Sequence, residues 1–230
     1  LKDIIENNEL VIIDEAQRIR DIGITLKLIV DNFKNVQLIV TGSSSLELAN
    51  SINEPLTGRK LEFFLYPLSS AELRSEFGNL NESKNLYKRL IFGSYPDVIN
   101  NPGKERLILN NLASSYLYKD IMAYQEIRRP ELLDDLLKAL ALQLGSQVSY
   151  NELSRTLGTD NETVSRYIEL LEKAFIIFRL RSFNRNLRTE LKKSRKVYFY
   201  DNGIRNAILG NFTNIDMRND AGALWENFLI

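Results

Sequence analysis

The chain has 230 residues with 30 basic and 30 acidic side chains, so no global field directs it to nucleic acid or to a membrane; any such surface must be local. It contains neither cysteine nor histidine, which excludes disulfides, thiol nucleophiles, thiolate or imidazole metal sites and His-dependent triads. No apolar run approaches the roughly 20 residues of a membrane span and no signal peptide is visible, so a cytoplasmic protein without a membrane partner is expected.

The first element is the most informative. Leu10-Val11-Ile12-Ile13-Asp14-Glu15 is an apolar, mostly β-branched run that ends in two carboxylates. It predicts a buried parallel strand with acids at its C-terminal tip, where open α/β sheets place their ligands. In nucleotide hydrolases a strand of this form (Walker B) holds Mg²⁺ through the aspartate, and the glutamate orients the attacking water. The bland alternative is a strand meeting its loop, with both acids in water. Apolar positions Ile22, Leu26, Ile29, Val30 and Phe33 then predict a helix near 22–33. A second strand over 36–40 ends at Thr41-Gly42-Ser43-Ser44-Ser45, a short helix covers 46–52, and a third strand is predicted at Leu61-Glu62-Phe63-Phe64-Leu65. Strands alternating with helices argue for a parallel α/β sheet. No G-x-x-x-x-G-K-[ST] loop occurs anywhere in the chain, so only half of an ATP site is present.

After Pro67 the pattern turns mostly helical. Ser69-x-x-Glu72 is a capping box that opens a helix to about Phe77, and Leu86–Phe92 is helical up to Gly93-Ser94-Tyr95-Pro96. Amphipathic helices are predicted near 104–124 and 130–143. Ser149-x-x-Glu152 opens a short helix closed by Gly158, and Thr159-x-x-Glu162 opens a longer one to Lys173, which together match a helix-turn-helix. Runs at 175–181 and 197–200 read as a β-hairpin, making 131–200 a winged helix-turn-helix. Helix signals recur at 203–209 and 221–230. The chain starts at Leu1 and ends at Ile230 inside an apolar stretch, so a fragment of something longer is expected.

The order of these pieces resembles a family of bacterial and archaeal AAA-type ATPases that carry a C-terminal domain of uncharacterised function. The resemblance rests on Leu10 to Gln17, Ile39 to Ser45, Leu56-Thr57-Gly58-Arg59, Tyr66-Pro67-Leu68-Ser69, Gly93-Ser94-Tyr95-Pro96, Tyr118-Lys119-Asp120-Ile121 and Lys196 to Gly203. It implies that Asp14 holds Mg²⁺ through water and that Glu15 is the catalytic glutamate. It implies a sensor of the γ-phosphate or attacking water at Thr41 or Ser43, although the serines could equally cap the next helix. Arg59 would be an arginine finger toward a neighbouring subunit, or else a surface partner of Glu54 or Glu62. In full-length members the C-terminal part resembles a restriction-endonuclease-like fold, and Glu226 matches its early metal-binding position; the later acids are absent. ATP and Mg²⁺ belong to the intact parent, and neither is expected to bind this chain tightly.

The resulting expectation is a mixed α/β class. Residues 1–78 form the C-terminal part of an AAA-type core with a partial parallel sheet, and 79–130 a helical linker or lid. Residues 131–200 form the winged helix, and 201–230 the start of a truncated nuclease-like domain. The rival function is a DNA-binding or protein-interaction module. From 179 to 196 eight bases (Arg179, Arg181, Arg185, Arg188, Lys192, Lys193, Arg195, Lys196) face one acid, Glu190. Such a stretch suits phosphate contact, with Arg166 on the second helix facing bases, or is simply a solvated hairpin loop. Self-association through the α/β part is also expected, because a sheet missing a strand exposes apolar edges.

Overall fold

Leu10–Ile13 (β1) and Gln37–Val40 (β2) form a parallel pair in the computed structural model, with Leu10 opposite Gln37 and Ile13 opposite Val40. The structure describes residue 5 and residues 7–42, 56–116, 129–180 and 195–230. The predicted helix at 46–52 lies outside them. The chain divides into two compact units, Leu1–Phe64 and Leu65–Ile230.

In the first unit β1 passes through a 3-10 turn, Ala16–Arg18, into helix α1, Ile22–Asn32, which returns the chain to β2. Helix α1 buries Ile22, Leu26 and Ile29, spaced to share one face. Ala16, Ile22, Leu26 and Leu56 make the core, with Ile13, Val30, Leu38 and Val40 packed on it. Both strands alternate between covered and exposed positions. The strand expected to be buried on both faces is therefore covered on one only: Ile12 is 61% exposed. The predicted third strand is not formed. Residues 61–65 run without regular structure, and Leu61, Phe63 and Leu65 are exposed. A strand needs a neighbour to take up its backbone groups, and among the described residues no strand pairs with this segment.

The second unit begins with two helices, Ser70–Phe77 (α2) and Asn79–Phe92 (α3). The capping box forms as the sequence dictates: Ser69 accepts from Glu72 N while Glu72 accepts from Ser69 N at 2.8 Å. Helices Pro96–Asn100 (α4) and Glu105–Asn111 (α5) follow, α5 continuing as a π-turn over Leu112–Tyr116. The single helix predicted near 104–124 is thus only partly described.

Helix α6, Pro130–Leu142, presents Leu132, Leu133, Leu136, Leu137, Leu140 and Ala141 to the interior. A short strand, Gln147–Val148 (β3), leads to Tyr150–Leu157 (α7), closed by Gly158 in the left-handed conformation. Helix α8, Asn161–Lys173, is capped by Asp160, which accepts from Thr163 N at 2.7 Å. The predicted cap was Thr159; a carboxylate is the stronger acceptor and takes its place. Ile177–Leu180 (β4) and Arg195–Phe199 (β5) then pair antiparallel, and the sheet order is β3-β5-β4.

Two helices close the unit, Asn202–Ile208 (α9) and Ala221–Leu229 (α10). Helix α9 is its hub, with residues 202–206 all buried. Its polar side chains satisfy backbone carbonyls that helix ends leave open. Asn206 donates to Ile91 O at 2.8 Å at the end of α3, and Arg205 Nε donates to Ala141 O at 2.9 Å at the end of α6. Among the described residues no helix is long and apolar enough to cross a membrane.

Candidate functional site

In-register parallel pairing ends β1 and β2 side by side, so the residues following them meet. Thr41 fixes the tip of β1 three times. Its amide donates to Ile13 O at 2.9 Å, its carbonyl accepts from Ala16 N at 3.0 Å, and its hydroxyl donates to Asp14 Oδ1. Asp14 and Thr41, both of which the resemblance implied as site residues, are thus in contact. Glu15 between them and the 3-10 turn has φ 52° and ψ 42°, a left-handed conformation that costs a non-glycine residue about 1–2 kcal/mol. Its carboxylate lies 3.5 Å from Arg18 on the surface. Strain of this kind collects at functional sites, although it is the outlier that suggests the function and not the reverse.

Arg59 goes elsewhere. It pairs with Asp31 at 2.6 Å, and Glu62 is taken by Lys60 at 2.8 Å; Glu54 lies outside the described residues. Asp31 belongs to the last turn of α1, which runs back toward the starts of the strands, so Arg59 is held away from Asp14 within this unit. Ser43 lies outside the described residues. No cluster of three or more acids able to hold a metal ion occurs among the described residues.

The candidate nucleic-acid face is divided in the same way. Arg166 is exposed on α8, its guanidinium 5.8 Å from the Tyr167 ring centre. Its neighbours on the outer face include Asn161, Glu162 and Glu169, the last paired with Lys173 at 3.2 Å. Arg179 is turned inward and held by Glu172 and by Tyr150 OH at 2.8 Å. Those hydrogen bonds outweigh burial and push its guanidinium further into the charged form. Arg195 lies on β5, half-buried. Arg181, Arg185, Lys192 and Lys193 lie outside the described residues.

Glu226 is occupied as well: Oε1 accepts from Lys196 Nζ at 2.7 Å and from Tyr198 OH at 2.6 Å. The bond from Lys196 leads in holding this carboxyl below its usual range. Of the eight bases counted in the hairpin, Arg179 and Lys196 are therefore each matched by a carboxylate. Sequence spacing could not reveal these pairs, because the partners come from other elements.

Comparison with known proteins places the chain. Residues 83–214, more than half of it, match a family model described as "Domain of unknown function (DUF8612)". The chain belongs to that family. Ahead of the DUF8612 region, residues 1–74 match an AAA domain, so the unit carrying Asp14 and Thr41 is AAA-like, a class related to ATPases. An uncharacterized protein of Haemophilus influenzae is 29% identical over 76% of this chain and 46% of its own length. An uncharacterized protein of Mycobacterium tuberculosis is 27% identical over 96% of this chain and 49% of its own length. One from Methanocaldococcus jannaschii is 24% identical over 88% of this chain and 49% of its own. The chain spans about half the length of these curated relatives. No solved structure matches it significantly.

Proposed function

We propose that the first unit is the hydrolytic half of an AAA-type ATP site. Asp14 is the Walker B aspartate that holds Mg²⁺ through water, Glu15 orients the attacking water, and Thr41 is the sensor. The observation that carries this reading is the Thr41 hydroxyl on Asp14 at adjacent parallel strand tips. A polar group so placed sits between the metal-holding acid and the position of a γ-phosphate. Arg59, fixed by Asp31 at the far end of α1, serves a neighbouring subunit's site in this scheme. The phosphate-cradling loop and its lysine are missing from the 230 residues, and they supply much of the electrostatic stabilisation in phosphoryl transfer. The chain by itself is therefore expected to release no phosphate above background from Mg²⁺-ATP. Turnover that disappears in Glu15→Gln would overturn the assignment of an incomplete site.

A second reading, that residues 131–200 are a winged helix, is supported by one observation in the second unit: the succession α6, β3, α7, α8, β4, β5 with sheet order β3-β5-β4 resembles that arrangement. In this reading the hairpin bases contact nucleic-acid phosphates through Arg181, Arg185, Lys192, Lys193 and Arg195, with Arg166 toward the bases. The outer face of α8 is not basic, so affinity depends on the hairpin and is sensitive to salt. Replacing Lys192, Lys193 and Arg195 together by alanine is expected to lower the slope of log affinity against log salt for duplex DNA by about 2–3. If affinity and slope both stay as they were, the hairpin does not touch DNA.

A further inference from the structure

A cleft of about 500 Å³ opens in the second unit between residues 66–70, the 93–94 turn, the ends of β4 and β5, and the end of α10. Its walls include the rings of Tyr66, Phe178, Tyr200 and Phe228. Tyr66 stacks on Tyr200 with centroids 5.2 Å apart, and Phe178 lies 5.0 Å from Tyr200. Asp201 also lines it. This carboxylate is buried and accepts only backbone donors, from Ser94 N at 2.7 Å and Ile204 N at 3.0 Å. No basic side chain pairs with it among the described residues. Among the described residues the one cation lining the cleft, Arg89, is already matched by Glu82 through bonds of 3.0 and 2.8 Å. The cleft thus combines aromatic walls with one carboxylate that backbone amides hold and that no basic side chain pairs with among the described residues.

We propose that this cleft binds a compact organic ammonium ion. Ring faces attract such a cation through their quadrupoles. The carboxylate supplies the countercharge, and the cation in turn relieves the cost of burying it. A primary or methylated ammonium fits where a hydrated metal ion does not, since the walls offer carbon and a single acid instead of a shell of oxygens.

Choline, with its neutral isostere 3,3-dimethylbutan-1-ol, is a suitable probe pair. Trp225 is the chain's single tryptophan and meets Phe228 edge-on at 6.3 Å, so its fluorescence reports on the cleft. Saturable choline binding at least about tenfold tighter than the isostere is expected, and that preference should vanish in Asp201→Asn. Tyr66→Leu, at a half-exposed wall position, should shrink the preference whether or not the Asp201 variant folds. The carboxylate must be ionised to act. Burial pushes Asp201 up to about 6, so choline affinity should rise about tenfold between pH 5 and 7. The charged groups on the elements around it, Arg89 and Arg205, are held by Glu82 and Asp220, and the neighbouring titratable rings are Tyr66 and Tyr200. Equal affinity for choline and the isostere, no saturable choline signal, or a preference untouched in Tyr66→Leu would each overturn the proposal.

Discussion

Asp220→Asn is expected to destabilise the helical unit by about 3–5 kcal/mol, read as a fall in the urea midpoint by circular dichroism. Asp220 serves two buried guanidiniums. Arg205 NH1 reaches it at 2.5 Å, and Arg218 binds both its oxygens at 2.8 Å. The two arginine side chains are only 2% and 1% exposed. Hydrogen bonds from Arg218, then from Arg205, hold the Asp220 carboxyl far below the usual carboxylate range despite burial. The amide keeps the shape and removes the charge, leaving two cations out of water with no countercharge. The penalty follows from their burial more than from the strength of the pair itself. A loss below about 1 kcal/mol, typical of a surface pair, would mean that water reaches these groups.

Gly93→Ala is the second substitution of large effect, with at least about 3 kcal/mol lost in the same measurement. Two causes add. Gly93 has φ 68° and ψ −158°, a backbone region that only glycine occupies readily. A Cβ there would also stand 2.0 Å from Asp201 Oδ1, a carboxylate pinned by the Ser94 and Ile204 amides. Gly210 is the control: it has φ 62° but open space around the Cβ position. Alanine at 210 should therefore cost only about 1–2 kcal/mol, the backbone term alone. Equal losses at the two positions would show that the contact with Asp201 is not tight.

The features legible in the sequence were the local ones. Ser69 caps α2, Ser149 caps α7 and Gly158 closes α7, because each motif satisfies backbone groups within four residues of itself. The parallel strands followed from two apolar runs with polar tips, whereas the contact of Asp14 with Thr41 depends on a register that only the fold supplies. Pairings between elements were hidden. Arg179 and Lys196 read as free hairpin charges, yet Glu172 and Glu226 hold them. Arg59 found Asp31, on a helix that the motif gave no reason to consider.

Leu61–Leu65 has strand composition but no described strand beside it, since pairing depends on a neighbour that composition cannot guarantee. Self-association through the α/β part is expected from the sheet edges that a missing strand leaves open; Leu10, Ile12 and Ile39 on the two strands are also exposed. Asp201, just after a strand and before Asn-Gly, has the sequence signature of a helix cap and none of a binding group. Its burial, and the aromatic rings gathered around it, come from four separate stretches of chain.

With the Asp14–Thr41 strand tips as the proposed metal-facing half of a nucleotide site, Mn²⁺ standing in for Mg²⁺ is expected to bind there. Titrated into the isotopically labelled chain, it should broaden amides chiefly at residues 13–16 and 40–42, at millimolar metal, and the broadening should be abolished in Asp14→Asn. Broadening spread evenly over exposed carboxylates, or persisting at those tips in Asp14→Asn, would contradict the proposal.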